Sequence, residues 1–355
     1  MIELLSLYSC ANRKKLCLVR RPHILIYFSL HTSGAFPPHV IINGMTAIIT
    51  LTANPTVDKS TTTQQVVPEN KLRCAALQHE PGGGGINVSR AIHQLGGDSI
   101  AFFLAGGPNG RILQSLLNEQ QIVCHPHPIA GWTRESFSVY ENATTLQYRF
   151  VMPGPDVQPA EWQDALNELG EMARNVDYIV ASGSLPPGVP VDFYARVARL
   201  VRSTNTRLVV DTSGEALWET LNESVFMLKP NIVELETLMG HKFTEQAQIH
   251  DVASELIRDG KCEIMLISLG AQGAFVASAQ GGEFLRAPTV PIQSKVGAGD
   301  SMVGGAVLAL AQGRSTHEAM LYGVAAGSAA VMTPGSLLCR REDTEMLFAQ
   351  MKLAQ

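Results

Sequence analysis

The sequence lacks a surplus of positive charge: 32 acidic side chains face 27 lysines and arginines, for a net charge of −5 and a pI near 6.1. Nucleic acid and anionic membranes both demand a basic surface, so neither is expected as a partner. Paired cysteines are missing too. Cys10, Cys17, Cys74, Cys124, Cys262 and Cys339 form no CxxC or CxxH pair, which removes the usual zinc frameworks. They read as reduced thiols of a cytoplasmic protein. The apolar patch "ILIYFSL" (24–30) falls well below the roughly 20 residues of a membrane-spanning helix. Its basic surroundings resemble a signal peptide, but no cleavage site follows. Two common nucleotide fingerprints are also absent. Gly260–Lys261 has neither the upstream glycine nor the following Ser or Thr of a P-loop, and neither Gly82 with Gly84 nor Gly297 with Gly299 is completed to GxGxxG.

What is present suits a soluble, enzyme-sized chain. Hydrophobic residues make up 45% and charged residues 17% of 355, enough apolar material for one large domain or two smaller ones. Short β-rich stretches at 47–53, 99–107, 177–184, 207–214, 225–230 and 263–270 alternate with helix-like segments at 86–96, 110–120, 160–174, 190–203 and 246–259. Near-continuous apolar strands separated by helices predict an α/β fold, a doubly wound and mostly parallel sheet with helices on both faces. Two regions break the alternation. Residues 135–154 read as two strands around "ENAT", and 58–80 lacks helical periodicity. Together they predict a small β-sheet, with strands near 58–80 and 134–154, serving as a lid that keeps water from transfer chemistry. The alternative is a hairpin merely packed on the core. Residues 1–44 are expected to lie outside the domain, disordered or the result of a mis-assigned start, and the domain is expected to run from Met45 to residue 355.

In an open α/β sheet, ligands bind beyond the carboxyl ends of the strands. Those ends carry Asn54 and Asp58, Gly106–Gly107, Ser182–Ser184, Asp211–Ser213, Lys229–Asn231 and Ser268–Gly270, small and polar residues that are also common turn formers. Three motifs stand out. In "KVGAGDSMVGG" (295–305), Gly297, Ala298 and Gly299 can aim backbone N–H groups at one point where a helix begins, an arrangement that attracts anions. Asp300 in that first turn could cap the helix or take a proton from a substrate hydroxyl during phosphoryl transfer. Gly304 and Gly305 suit close helix packing. "EPGGGGINVSRAI" (80–92) leads four glycines into a helix with Asn87 at its start, letting backbone approach a ligand. In "LKPNIVELE" (228–236), Asn231 and Glu234 share a helical face and could either hold hydrated Mg²⁺ or cap each other.

"PGGGGINVSRAI", "WTR", "YRFVMPG", "SGSLPPG", "KPNIVELE" and "KVGAGDSMVGG", in this order, resemble the phosphofructokinase B family of ribokinase-like sugar kinases, and most of all its minor-type 6-phosphofructokinase branch. The likeness runs from about Met45 to the C-terminus. It implies a ribokinase-like fold with a β-sheet lid and ATP-dependent phosphorylation of fructose 6-phosphate at the C1 hydroxyl. Tagatose 6-phosphate or fructose 1-phosphate are the alternative substrates, and a non-catalytic sugar-phosphate sensor is a remote third reading. By the resemblance, Asp300 is the catalytic base, with Gly297, Ala298 and Gly299 as the anion hole. Asp58, Gly82, Gly83, Asn87 and Ser184 would meet the sugar, and Arg134, Lys71 and Arg73 its phosphate. Lys229, Asn231, Ser268 and Gly270 would line the nucleotide, and Glu234 would serve Mg²⁺. Ser294, Val296, Ala330 and Gly335 would offer backbone oxygens to K⁺. The expected partners are ATP, a sugar phosphate and a second copy of the chain joined through the lid. Lys295, beside the anion loop, has no role in this scheme.

Overall fold

The computed structural model describes residues 3–7, 15–21, 24–30, 39–42 and 48–354, in two separate units divided at Ala47. In the first unit, β1 (Glu3–Leu7), β2 (Lys15–Arg21), β3 (Ile24–Leu30) and β4 (His39–Ile42) pair antiparallel in that order. The rest of the 1–44 expectation falls on residues outside those described.

The second unit opens with β5 (Ile48–Thr52), β6 (Thr56–Thr63), β7 (Gln78–Gly82), α1 (Gly84–Gln94), β8 (Ile100–Ala105), α2 (Gly107–Glu119) and β9 (Val123–Pro128). It continues through β10 (Arg134–Glu141), β11 (Gln147–Val151), α3 (Pro159–Ala173), β12 (Tyr178–Ser182), α4 (Phe193–Val201), β13 (Arg207–Asp211), α5 (Gly214–Thr220) and β14 (Val225–Leu228). It closes with α6 (Ile232–Met239), α7 (Gln246–Arg258), β15 (Cys262–Ser268), β16 (Gly273–Ser278), β17 (Gly281–Arg286), α8 (Ala298–Ala311), α9 (Thr316–Val331) and α10 (Arg341–Leu353).

Nine strands form the main sheet in the order β17-β16-β15-β14-β13-β12-β5-β8-β9. Pairing is parallel from β15 to β9, and antiparallel only at the β15-β16-β17 edge. Apolar runs such as IITLT (48–52) and YIVAS (178–182) are buried throughout, as strands covered on both faces must be. One residue parity shows the division. Ile48, Val180, Val209 and Met227 join the cluster built with α1, α8, α9 and α10, while the buried neighbours Ile49, Ile179 and Val210 point to the other face.

A second sheet has the order β11-β10-β6-β7. The hairpin β10–β11 is antiparallel, with Ser136 opposite Val151, and β6 runs parallel to β10 and antiparallel to β7. The two sheets share one chain path: β5 runs straight into β6, and β7 into α1. That path brings Asp58 beside the glycine run.

Gly304 and Gly305 lie where α8 meets α1 and α9. A Cβ on Gly305 would stand 2.8 Å from Ala326 Cβ, and one on Gly304 3.0 Å from Ala91 Cβ, inside normal van der Waals contact. These glycines let three helices pack backbone to backbone, as the sequence suggested.

Candidate active site

The anion loop begins at Gly297, the N-cap of α8, with φ 75°. A side chain there would strike Leu338, whose Cδ2 lies 2.2 Å from the Cβ position, so both conformation and space demand glycine. With no side chain at the cap, the first-turn N–H groups of α8 remain available to an anion. Asp300 does not close that turn. Its Oδ2 instead accepts a 2.9 Å hydrogen bond from Asn87 Nδ2, reaching across to α1. Burial pushes the Asp300 carboxyl up to about 7; Asp211 adds to the rise, while Asn87, Lys229 and Arg90 pull against it. A carboxyl poised near neutrality beside free amides suits a base better than a cap.

The glycine run delivers Asn87. Gly83, at φ 116°, is the N-cap of α1. A Cβ on Gly82 would fall 2.2 Å from Asp58 Oδ2, so Asp58 and the run press directly together. Burial pushes Asp58 up to about 6, with Arg134 and Arg149 drawing it down. Arg90, only 2% exposed, donates to Asn87 Oδ1 at 3.1 Å, to the Pro81 carbonyl at 3.0 Å and to Gln120 Oε1 at 2.9 Å.

On the other flank, Lys229 follows β14 and pairs with Asp211, at the end of β13, at 3.0 Å. Burial works against the ammonium, but Asp211, Glu234 and Asp300 together hold Lys229 above its ordinary range. A Cβ on Gly299 would lie 3.6 Å from Lys229 Nζ, which sets this cation against the anion loop. Asn231 and Glu234 form the reciprocal cap: Glu234 N donates to Asn231 Oδ1 at 2.9 Å, and Asn231 N to Glu234 Oε2 at 2.8 Å. Burial raises the Glu234 carboxyl. Ser268 is drawn alongside through a bridge to Asn231 and a 3.0 Å bond from its N–H to the Pro230 carbonyl. Gly270 follows with φ 62°.

At the second sheet, Arg134 donates to the carbonyls of Met152 and Asn54 at 2.9 and 3.1 Å, while its buried Nε has no partner. Asn54 also donates to Ser184 Oγ at 3.2 Å, so Arg134 and Ser184 meet through one residue. Lys71 and Arg73 stand exposed in the connection between β6 and β7. Besides Arg134, Arg149 on β11 also bears on Asp58. Ser294 is held beside the end of α9 by its N–H on the Val331 carbonyl. The Ala330 carbonyl already accepts Thr333 Oγ1 at 2.9 Å, and Gly335 adopts φ 62°. Lys295 is exposed.

Three residues of this site are given no role by local spacing. Asp211 and Asn54 are legible only as polar strand ends, and Arg90 only as one letter of the glycine-run motif at 80–92. What unites them is burial beside another charged or amide group, which no local spacing records.

The model of the pfkB family of carbohydrate kinases matches residues 48–343. An ATP-dependent 6-phosphofructokinase isozyme 2 of Mycobacterium tuberculosis is 43% identical over 305 residues, covering 86% of this chain and 90% of that protein. The phosphofructokinase-2 of Escherichia coli in complex with fructose-6-phosphate superposes with a TM-score of 0.80 at 39% identity, over 87% of this chain and all of that one. The same enzyme in complex with potassium gives 0.82 at 40%, with the same coverage, and one of its structures is a tetrameric inhibited form. A 1-phosphofructokinase of Borreliella burgdorferi and a tagatose-6-phosphate kinase of Staphylococcus epidermidis are each 30% identical, over 86% and 76% of this chain. Fold, loop and likeness agree: the chain belongs to the pfkB family of carbohydrate kinases.

Proposed function

We propose that the protein transfers the γ-phosphoryl group of ATP to the C1 hydroxyl of fructose 6-phosphate, giving fructose 1,6-bisphosphate, a step of glycolysis. The observation that carries this reading is the Asp300 carboxyl, held near neutrality at an uncapped helix start and turned toward Asn87 rather than into its own helix. Ionised, it accepts the C1 proton as the oxygen attacks the γ-phosphorus, while the loop amides of Gly297, Ala298 and Gly299 offset charge on the transferring group. Asp58, Asn87 and Ser184 hold the sugar, and Arg134 with Arg149 offers positive charge to its phosphate. Lys229, Asn231, Ser268 and Gly270 flank the nucleotide. The greater identity to 6-phosphofructokinases than to 1-phosphofructokinase or tagatose-6-phosphate kinase supports fructose 6-phosphate over the other ketose phosphates.

Magnesium fits as the companion of the nucleotide. Among the described residues, no group of three or more His, Cys, Asp or Glu side chains can hold an ion, while Glu234 has one oxygen taken by Asn231 N–H. Phosphate oxygens, water and a single carboxylate make the hydrated setting magnesium prefers. When bound, it supplies positive charge to the departing phosphate. The Ala330 carbonyl accepts a hydrogen bond from Thr333 Oγ1 and keeps a second lone pair, and no step is assigned to potassium.

We also place a second copy of the chain on the outer face of the lid. The pleat puts Asp58, Ser136 and Arg149 on one face and Phe137, Tyr148 and Phe150 on the other. Tyr148 and Phe150 are 36% and 50% exposed on the edge strand β11, an open apolar edge that favours pairing. A cytoplasmic setting agrees with the unpaired, buried thiols of Cys262 and Cys339. The deciding experiment is ADP release by the purified protein with ATP and a panel of fructose 6-phosphate, tagatose 6-phosphate and fructose 1-phosphate. Preference for fructose 6-phosphate is expected. No release with any sugar phosphate overturns the kinase reading, and preference for another ketose phosphate overturns the substrate alone.

A further inference from the structure

We propose that Arg90 is a positioning residue for the reaction: it fixes the amide of Asn87 in one orientation, and Asn87 in turn fixes the Asp300 carboxylate. The argument rests on what each group is able to do. A guanidinium only donates hydrogen bonds, so the Asn87 atom 3.1 Å from Arg90 Nη1 must be the carbonyl oxygen Oδ1. The NH₂ end then faces Asp300, 2.9 Å from its Oδ2. Among the described residues, Arg90 is the side chain that donates to Asn87 Oδ1 and so selects the orientation. A flipped amide would turn its oxygen toward the carboxylate, which would have to stay protonated to bond with it.

Arg90 is itself held from several sides, as a positioning group must be. Its Nε donates to Gln120 at the end of α2, and its Nη1 also donates to the Pro81 carbonyl on β7. Its Nη2 lies 3.7 Å from Glu80 Oε1, and Glu80 Oε2 accepts a 2.6 Å bond from Ser336. The guanidinium therefore links a strand of the lid sheet to the base through Asn87. The charged groups facing Asp300 are Asp211 from β13, Lys229 after β14 and Arg90 from α1. Those facing Arg90 are Glu80 on β7, Asp58 on β6 and Asp300. With the salt bridge of Lys229 directed at Asp211, Asn87 is the group that hydrogen-bonds the carboxylate itself.

The inference rests on Asp300 being the base, and its test is chosen to separate the two ideas. The full chain, labelled at aspartate carboxyl carbons, is titrated by NMR, with the Asp300 signal assigned by its loss in Asp300→Asn. The pH profile of kcat is measured in parallel. In Arg90→Met the Asp300 titration and the acid limb of kcat both move up by about one pH unit, the scale of losing one neighbouring cation and one hydrogen bond. The KM for the sugar phosphate changes less than kcat, and Arg90→Lys restores part of the shift. In an Asn87→Ala background, Arg90→Lys adds little, because the relay is already cut. Gln120→Leu, which frees the guanidinium from its far end, gives a smaller shift of the same sign and serves if Arg90→Met does not fold. An unmoved Asp300 titration in folded Arg90→Met, or in Gln120→Leu where the former does not fold, overturns the proposal. If Asp300→Asn instead keeps its turnover, the base assignment falls, and the NMR titration still decides the role of Arg90.

Discussion

Asp300→Asn separates a catalytic carboxylate from a helix cap, because it keeps shape and hydrogen-bonding capacity while removing the charge. The oxygen of the new amide can still accept from Asn87, so the 2.9 Å contact survives. The wild-type carboxyl is raised from 3.8 to about 7, first by burial and then by Asp211. A raised folded-state value means the folded protein holds this proton more tightly than the unfolded chain. The resulting stability is present in full below about pH 4 and is lost as pH rises through about 7. At full strength that loss is worth about 4 kcal/mol. The variant carries no such penalty. Its stability relative to wild type should therefore grow between pH 4 and 7 and level off above, read as denaturant midpoints across that range. Turnover should fall by about a thousandfold, within the usual yield of general base catalysis. In the wild type, kcat should climb with pH toward a plateau above 7. Turnover within tenfold of wild type would refute the base assignment. A stability difference that stays flat with pH would refute the buried-charge argument.

Gly305→Ala gains roughly 1 kcal/mol of helix propensity, but its Cβ arrives 2.8 Å from Ala326 Cβ, and such overpacking costs about 1 to 3 kcal/mol. A lower thermal midpoint is expected, and an unchanged or higher one would show that α8 and α9 separate freely. Arg134→Met removes a cation whose two bonds to main-chain carbonyls fix it beside Asp58. A charged hydrogen bond worth about 2 to 3 kcal/mol predicts a KM for the sugar phosphate up by roughly 30- to 160-fold, with kcat changed far less, in steady-state kinetics. Phe150→Asp charges the exposed face of the second sheet and should disrupt the proposed dimer, read as a monomer by light scattering. A dimer that persists would move the interface elsewhere.

Much of this molecule is legible in its sequence because the signals are local. Apolar runs bounded by turn residues mark β5, β8, β12, β13, β14 and β15, each close to its expected span. The "ENAT" turn marks the hairpin β10–β11. The antiparallel edge β16–β17 is less visible: "GAFVAS" and "GGEFLR" are short, and the glycines that open them read as loop. Gly273, at φ 104°, is the turn that makes the edge possible, and its left-handed backbone leaves no trace beyond the residue itself. The site divides the same way. Asp300, Asn87 and Lys229 sit in compact motifs and come together, and Arg149 joins Arg134 as a cation bearing on Asp58. That approach depends on the register of Ser138 opposite Arg149, a pairing between strands that composition does not set.

Two motifs offered the same choice between capping and chemistry, and the structure answers them differently. Glu234 satisfies a backbone N–H of its own helix start and is satisfied in return, so its carboxylate has a structural use before any ion arrives. Asp300 occupies the equivalent first turn, but Gly297 precedes it as a cap without a side chain, and no reciprocal bond is available to draw the carboxylate inward. It turns outward to an amide 213 positions away in sequence. The difference follows from what each N-cap residue can offer. Asparagine at 231 supplies an acceptor and locks the box, while glycine at 297 withholds one and leaves both the amides and the carboxylate for a ligand. Placing a serine at 297 would supply that acceptor only by forcing a Cβ into Leu338, so the contact that demands glycine also keeps the Asp300 carboxylate out of a capping box.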